Sequence, residues 1–286
     1  MKLPFEINLT GKTAVITGGG GVLCSVFAKA LASCGANVAV ISLHEESCGR
    51  VANEIIADGG KAIAVACNVL DKNALIAARE KIYAEFGVCD ILINGAGGNN
   101  PKGTTTKEYL FPEDLQDDAA DDIKTFFDLD EDGIKYVFEL NFLGALLTTQ
   151  VFARDMAQRE GATIINVSSM NAFKPLTKIP AYSGAKAAVS NFTQWLAVHF
   201  APVGIRVNAI APGFFITEQN RNLLLNADGS LTPRSNKILS HTPQNRFGDP
   251  EDLIGTLLWL CDSSASGFVD VIVVPVDGGF SAYSGV

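Results

Sequence analysis

A tyrosine and a lysine four positions apart, Tyr182 and Lys186, are the pair in this chain best suited to moving a proton. On a helix, side chains four positions apart lie on the same face. A free phenol has a pKa near 10, and a nearby ammonium favours its phenolate form. Such a pair could transfer a proton to or from a hydroxyl group in a redox reaction. The alternative is a chance match on an exposed helix.

Further polar residues follow segments that resemble strands. Ser169 lies 13 residues before Tyr182, just beyond the apolar run 163–167, and Asn94 ends another apolar run. Residues 212–217, Pro-Gly-Phe-Phe-Ile-Thr, follow a third run. The carboxyl ends of parallel strands meet at one edge of a sheet, where ligands bind. A single ligand could therefore contact all of these groups.

Four consecutive glycines, Gly18 to Gly21, follow Thr17 between the first predicted strand and the first predicted helix. Glycines in such a turn let the backbone approach a pyrophosphate, which then rests on the helix N-terminus. Glycines also occur in ordinary turns. Nucleotide binding is favoured here because these glycines lie between the first predicted strand and the first predicted helix.

Apolar, β-branched runs alternate with helix-like segments along most of the chain. Because these runs are almost wholly apolar, they are typical of strands covered on both faces. The alternation predicts an α/β fold, a single domain over residues 1–286 with a doubly wound parallel sheet. The predicted strands are 13–17, 38–42, 62–67, 91–94, 163–167, 206–210 and 271–274. The predicted helices are 22–34, 45–58, 72–86, 134–158, 182–200 and 250–260.

Composition excludes several classes of protein. The net charge is −9 and no basic tract occurs, which argues against nucleic acid and anionic membranes as partners. We expect no segment long enough to span a membrane and no leader peptide. Six cysteines without a CxxC pair indicate reduced thiols and a cytoplasmic location. The chain has only three histidines, which argues against a metal site built from histidines.

An acidic insertion at about 98–132 interrupts the alternation. It begins after a strand end, so it could border the site or form a solvated surface segment. Within it, Asp128 to Gly133 followed by Glu139 matches a calcium-loop pattern. The alternative is a helix start capped by Asp132, and Lys135 replaces the apolar residue usual in such loops. We expect no metal here.

Taken in order, these motifs resemble those of the short-chain dehydrogenase/reductase family across essentially the whole chain. The resemblance implies a Rossmann-type sheet and an enzyme that uses NAD or NADP. It implies that Tyr182 is the general acid/base, Lys186 lowers its pKa and holds the ribose, Ser169 steadies the substrate oxygen, and Asn141 supports a relay water. Ser168 is a rival for Ser169, with a less suitable spacing. The implied cofactor contacts are Gly18, Gly20, Gly21, Val22, Leu23, Ser42, Leu43, Asn68, Val69, Asn94, Ala96, Gly97, Tyr182, Lys186, Pro212, Gly213, Phe215 and Thr217.

Some residues depart from the family pattern. Val22 and Cys24 stand at the second and third glycines, and Gly95 and Asn68 replace the usual Asn and Asp. The acid that would accept the ribose hydroxyls is missing at Ser42-Leu43-His44, so NADP is not repelled. No Arg or Lys is present there or in the glycine turn to bind a 2′-phosphate. We therefore expect a modest preference for NAD.

Within the family, the closest resemblance is to D-mannonate oxidoreductases (fructuronate reductases), through segments 98–102, 126–130, 217–221 and 276–286. It implies a sugar-acid substrate held by Asn99, Asn100, Lys102, Asn171 and Arg221. An alternative is a reductase of another carbonyl, such as a keto-gluconate or a 3-oxoacyl-carrier substrate. Another is a non-catalytic nucleotide-sensing or interaction protein.

The family resemblance also implies a homotetramer paired through the helices that carry Asn141 and Tyr182. Apolar residues on these helices agree with it, since one face could pack on the sheet and another on a second subunit. They are Val137, Phe138, Phe142, Leu143, Leu146, Leu147, Val189, Phe192, Trp195 and Leu196.

Overall fold

The computed structural model describes residues 6–116, 118, 120, 122–157, 159–217 and 221–285. They form one parallel sheet of seven strands in the order β3-β2-β1-β4-β5-β6-β7. The strands are β1 (Thr13–Thr17), β2 (Asn37–Ser42), β3 (Lys61–Ala66), β4 (Ile91–Asn94), β5 (Thr163–Val167), β6 (Arg206–Pro212) and β7 (Val273–Val276). The predicted α/β class, with helices on both faces of a parallel sheet, is confirmed. The strand order reverses between β1 and β4, the place where ligands bind in such folds.

Ten α-helices accompany the sheet in the described part of the chain. They are α1 (Val22–Ser33), α2 (Glu45–Ala57), α3 (Lys72–Phe86), α4 (Glu131–Phe138), α5 (Gly144–Met156), α6 (Pro180–Phe200), α7 (Arg221–Leu224), α8 (Pro233–Ser240), α9 (Ile254–Cys261) and α10 (Ser263–Ser266). Predicted and observed boundaries agree within one or two residues for α1, α2, α3 and α6. The predicted helix 250–260 is a 3₁₀ turn, Pro250–Leu253, followed by α9.

Each strand presents alternate residues to two separate apolar layers. Ala14 and Ile16 of β1 face α1 and α9, whereas Val15 faces α3, α5 and α6. Strands buried on both faces lose water from every side chain, which explains why their sequences are almost wholly apolar.

Strand β7 begins two residues later than the sequence predicts. Val271 has a left-handed backbone with φ 72°, a conformation that a β-branched residue adopts only under strain. The Asp270 carboxylate stabilises this kink, because Oδ1 accepts hydrogen bonds from the backbone N–H of Val207 at 2.7 Å and of Val271 at 3.1 Å.

The single helix predicted over 134–158 is a composite. A π-helical turn, Glu139–Leu143, separates α4 from α5, and helical structure runs from Glu131 to Met156. By length and composition this run could cross a membrane, so the expectation that no segment reaches that length is wrong. Half of its apolar window is buried within the protein, where α5 packs against α3 and β4, as a core helix does.

The acidic insertion uses its carboxylates to shape its own backbone. Asp130, rather than the predicted Asp132, caps α4 by accepting a hydrogen bond from the Gly133 N–H at 2.8 Å. Asp128 accepts bonds from the N–H and the hydroxyl of Thr125. These two carboxylates of the calcium-loop pattern are therefore engaged in turns and caps. All six cysteines are free thiols.

Candidate active site

The glycine turn after β1 leaves a helix N-terminus open. Gly18 has φ 68°, and a Cβ there would lie 2.7 Å from the Gly95 carbonyl oxygen. A Cβ on Gly20 would lie 2.6 Å from Ser47 Oγ. Gly21 is the N-cap of α1 and supplies no side-chain cap, so the first N–H groups of α1 lack a side-chain acceptor among the described residues. This arrangement fits a pyrophosphate, whose charge would face those N–H groups.

Two departures from the family pattern compensate for each other. Cys24 stands at a family glycine, and its thiol fills space above the loop after β4. A Cβ on Gly95 would lie 2.2 Å from Cys24 Sγ, so the larger residue on α1 requires the smaller one at 95. Burial raises the pKa of the Cys24 thiol to about 12, which keeps it neutral at pH 7. The turn retains its shape with different residues.

An arginine that the sequence reasoning missed reaches the glycine turn. Arg50 on α2 donates from Nη2 to the Gly20 carbonyl oxygen at 3.3 Å and pairs with Glu54 at 3.1 Å. Neither the glycine turn nor Ser42-Leu43-His44 contains an Arg or Lys, but Arg50 brings a cation to this turn from α2. Arg50 is eight residues beyond the end of β2, and only the packing of α2 brings it back. Beside it, Ser47 donates a hydrogen bond to Ser42 Oγ at 3.0 Å.

Asn94, predicted to line the adenosine side, points its amide into the fold. Its Nδ2 donates to Thr149 Oγ1 at 3.0 Å and to Asn166 Oδ1 at 2.8 Å, and the residue is 4% exposed. The side chain thus joins β4 to β5 and α5. The loop after it is held by Thr17, whose hydroxyl accepts from the N–H of Gly95 at 3.1 Å and of Ala96 at 3.3 Å.

Asn141 lies in the π-helical turn and fastens that turn to the loop after β4. Its Oδ1 accepts from the Gly98 N–H at 3.2 Å, and its Nδ2 donates to the Gly98 carbonyl oxygen at 2.7 Å. Nδ2 also donates to the Val137 carbonyl oxygen at 2.7 Å. A Cβ on Gly97 would lie 2.6 Å from Asn141 Oδ1 and 3.2 Å from Lys186 Nζ. Gly97 therefore lets Asn141 and Lys186 approach the same stretch of backbone.

Ser169, and not Ser168, is the serine directed at Tyr182. A hydrogen bond from Ser169 acts to lower the pKa of Tyr182, but burial outweighs it and raises that pKa above its ordinary value. Ser168 turns into α6, bonding to Ser190 Oγ at 2.7 Å and to the Lys186 carbonyl oxygen at 3.2 Å. A pKa above that of a free phenol means that Tyr182 is protonated at neutral pH in this structure.

Lys186 is a buried ammonium beside Tyr182. Its Nζ donates to the Val167 carbonyl oxygen at 2.8 Å and lies 5.7 Å from the Tyr182 ring centroid. Burial lowers the pKa of Lys186 to about 8. In this structure burial is the largest influence on the pKa of the Tyr182 phenol, and the Lys186 ammonium bonds to the backbone. That Lys186 lowers the pKa of Tyr182 stays a prediction.

The segment after β6, residues 213–217, lies at the same carboxyl edge of the sheet, on the β7 side. A Cβ on Gly213 would lie 2.6 Å from the Asp277 Cα, so this glycine allows two backbones to meet. Phe215 is 5% exposed and its ring packs against Gly248. The segment is thereby held against the turn that follows β7.

A cavity of about 690 Å³ opens beside the N-terminus of α6. Its wall includes Ile179, the N-cap of the helix in which Tyr182 is the third residue. Such a volume suits a small organic ligand. The walls come from the insertion, the loop after β5, α8 and the C-terminal segment, and the lining residues are Thr104, Glu108, Tyr109, Lys174, Pro175, Leu176, Thr177, Lys178, Ile179, Phe214, Pro233, Arg234, Lys237, Ile238, His241 and Phe280.

The cavity is cationic although the chain is acidic. Its lining holds four cations, Lys174, Lys178, Arg234 and Lys237, and one carboxylate, Glu108. The chain as a whole has 31 acidic and 22 basic side chains. A local excess of cations in a concave surface attracts anionic ligands.

A family model described as short chain dehydrogenase matches residues 12–227. The chain belongs to the short-chain dehydrogenase family. As such a dehydrogenase it is an oxidoreductase. A Haemophilus influenzae uncharacterised oxidoreductase is 58% identical over 286 residues, covering 100% of this chain and 99% of the relative.

Two further relatives of this short-chain dehydrogenase bear on its ligands. A crystal structure with bound NAD, of a Haemophilus influenzae protein named provisionally as a D-mannonate oxidoreductase, has a TM-score of 0.93, 57% identity and full coverage of both chains. A 2-dehydro-3-deoxy-D-gluconate 5-dehydrogenase from Dickeya dadantii is 33% identical over 276 residues, covering 96% of this chain and 97% of the relative.

In the described part of this short-chain dehydrogenase, the cavity wall contains none of the five residues predicted to hold the substrate. Asn99 donates to Thr104 Oγ1 at 3.1 Å and Asn100 accepts from the Lys102 N–H at 2.9 Å, so both shape a turn. Lys102 is exposed at that turn. Arg221 is exposed at the start of α7, which follows the undescribed residues 218–220.

Asn171 differs from the other four predicted substrate residues. It is 5% exposed, and its Oδ1 is buried without a hydrogen-bond partner in the described part of the protein. Its backbone N–H donates to Ser169 Oγ at 3.2 Å, which orients the serine. A buried acceptor without a donor is costly unless a ligand supplies one.

Proposed function

We propose that this enzyme interconverts D-mannonate and D-fructuronate with a nicotinamide cofactor, NAD(H) being preferred. The observation that carries the substrate class is the cationic cavity at the N-terminus of α6, the helix that carries Tyr182, in a chain of net charge −9. A sugar acid offers a carboxylate for such a cavity and hydroxyl groups for its polar rim. The name given to the 57% identical NAD-bound structure supports the same substrate.

In this proposal Tyr182 exchanges the proton of the reacting oxygen. Because burial raises the pKa of its phenol, Tyr182 is protonated and suited to donating to a ketone oxygen during reduction. Ser169 would form hydrogen bonds to the phenol and to the same substrate oxygen. These bonds would orient the phenol proton toward that oxygen. The bound cofactor supplies or accepts the hydride at the carbon atom of that carbonyl.

Lys186 and Asn141 hold the surroundings of the proton transfer in place. Lys186 would bond the nicotinamide ribose and stabilise the phenolate that remains after donation. Asn141 fixes the π-helical turn to Gly98, beside Gly97 and Lys186. A relay water at this turn would return a proton to Tyr182.

The cofactor contacts proposed lie along the edge of the sheet from β2 to β6. The open N-terminus of α1 would hold the pyrophosphate, and Phe215 and Thr217 the nicotinamide. NAD(H) is favoured since the 57% identical structure holds NAD and since Arg50 is already paired with Glu54, a carboxylate that it shares with Lys29. A 2′-phosphate would have to displace Glu54 from that pair.

The direct test follows absorbance at the NADH band with a panel of sugar acids and both cofactors. We expect D-mannonate with NAD⁺ and D-fructuronate with NADH to give the highest kcat/KM. A keto-gluconate or a 3-oxoacyl thioester as the best substrate would contradict the substrate proposal. A higher kcat/KM with NADPH than with NADH would contradict the cofactor preference. Cofactor binding without turnover of any substrate would favour a sensing protein.

We also propose a homotetramer. Phe138, Leu143 and Trp195 are 39%, 37% and 58% exposed on α4, the π-helical turn and α6, whereas Val137 and Leu196 are buried. A second apolar patch lies before edge strand β7, where Phe268 is fully exposed. Two separate patches suit the two interfaces of a tetramer.

Light scattering at micromolar concentration should give the mass of four 30.3 kDa chains. Trp195→Arg should yield smaller species because it places a charge in one patch. Ile56→Arg, which places the same charge on an exposed apolar residue of α2, serves as the control. A wild-type monomer would contradict the proposal.

A further inference from the structure

The cavity contains four cations, and two of them are already engaged. Lys237 pairs with Glu108 of the insertion. Lys174 donates to the carbonyl oxygens of Phe280 and Tyr283, and its Nζ lies 5.4 Å from the Phe280 ring centroid. The charges of these two lysines therefore hold the cavity walls together.

The other two cations, Lys178 and Arg234, have no side-chain partner among the residues that the structure describes. They come from different walls, Lys178 from the loop before α6 and Arg234 from α8. The charges of both nevertheless influence the same carboxylate in the cavity, that of Glu108. After the Glu108–Lys237 hydrogen bond, the charges of Lys178 and Arg234 contribute to holding the pKa of Glu108 below its usual value.

Both side chains stand where local structure disfavours them. Lys178 has φ 73°, a left-handed conformation that costs an ordinary side chain free energy. Arg234 is the second residue of α8, in the first turn, where the helix dipole favours an acidic side chain. An anion bound in the cavity would compensate both of these costs.

We propose that Lys178 and Arg234 together bind the substrate carboxylate, from opposite walls of the cavity, and so select acids over neutral sugars. This proposal rests on the proposed function. Lys178 and Ile179 line the cavity just before the first turn of α6, and Tyr182 is the third residue of that helix. In this proposal a six-carbon chain with its ketone at Tyr182 extends from this end of α6 toward Lys178 and Arg234. Two cations surrounding one carboxylate give charge-assisted hydrogen bonds that a hydroxymethyl group cannot form.

The test compares D-fructuronate with D-fructose, which differ only in carrying a carboxylate or a hydroxymethyl group at the end away from the ketone. Lys178→Asn removes the charge and keeps a residue that tolerates the left-handed backbone. Arg234→Gln removes the second charge. Each should raise KM for D-fructuronate about 10- to 100-fold, the size of one lost charged hydrogen bond. The KM for D-fructose should stay within about twofold.

Three measurements separate this role from a structural one. Lys178→Asn should melt at or above the wild-type temperature, because the backbone strain is relieved while binding is lost. Lys178→Arg should recover most of the affinity for the acid. Lys61→Gln, an exposed lysine on edge strand β3, is the matched control and should change neither KM.

The results distinguish two failures. Wild-type turnover of D-fructuronate with KM unchanged in both Lys178→Asn and Arg234→Gln would overturn the assignment of these residues and leave the proposed function standing. Wild-type turnover of D-fructose without turnover of D-fructuronate would overturn the proposed function and this inference together.

Discussion

Replacing Tyr182 by phenylalanine is expected to lower kcat by about 10²- to 10⁴-fold, the usual contribution of a positioned general acid. The change removes only the hydroxyl that bonds to Ser169 and leaves the ring to pack beside Lys186. The dissociation constant of NADH, measured by fluorescence titration, should change by less than about threefold, because the lost group lies on the substrate side.

Tyr136→Phe provides the matched control, since it removes the same hydroxyl from a tyrosine that is 44% exposed on α4. It should retain wild-type kcat. A Tyr182→Phe enzyme with kcat within a factor of about three of wild type would remove Tyr182 from the proton transfer.

The second large effect is expected at Lys186. Lys186→Met should lower kcat/KM by at least about 10²-fold and weaken cofactor binding, because this ammonium would serve both the phenolate and the ribose. At pH 7 the variant should nevertheless be about as stable as wild type or more so. A pKa depressed from 10.5 to about 8 means that burying the charged lysine costs about 3 kcal/mol.

Because burial disfavours the charged form of Lys186, the stability difference between wild type and Lys186→Met should depend on pH. Between about pH 8 and 10.5 the unfolded chain retains a proton that folded Lys186 has released, so the free energy of unfolding of wild type rises with pH relative to the variant. Urea unfolding at pH 7 and pH 10 measures both proteins. Lys186→Met should show its advantage at pH 7 and lose it by pH 10. An equal difference at the two pH values would contradict the depressed pKa.

The elements nearest the chemistry could be predicted well from sequence. The strands 13–17, 91–94 and 163–167 match the structure at both ends. These strands are buried on both faces, so most of their residues are apolar, and each apolar run ends close to where its strand ends. The same strands made it possible to predict where Ser169, Tyr182 and Lys186 lie. Each of these residues follows the end of β5 by a known number of residues.

The cavity could not be predicted in this way. Lys178 and Arg234 lie 56 residues apart in sequence, in a loop and a short helix whose positions depend on tertiary packing. Arg221 was the more plausible carboxylate partner in sequence because it closely follows Thr217, yet it is exposed on α7. Arg50 shows the same limitation on the cofactor side, since only helix packing returns it to Gly20.

The π-helical turn at Asn141 is also invisible to hydrophobic periodicity. Helix prediction from apolar spacing assumes 3.6 residues per turn throughout, so it does not mark the place where one turn contains an additional residue. The acidic insertion was open to two readings, and its residues Thr104, Glu108 and Tyr109 line the cavity. Its contact with α8 runs through the Glu108–Lys237 pair, a long-range interaction without a local sequence signal.

The central claim is that this short-chain dehydrogenase acts on a sugar acid, and the ratio of kcat/KM for D-fructuronate to that for D-fructose tests it most directly. Both ketones are offered to the wild-type enzyme with saturating NADH, and oxidation of NADH is followed in each. The cationic cavity predicts a ratio of at least about 10², because the carboxylate gains charge-assisted bonds that the hydroxymethyl group lacks. A ratio near one or below it would contradict the claim.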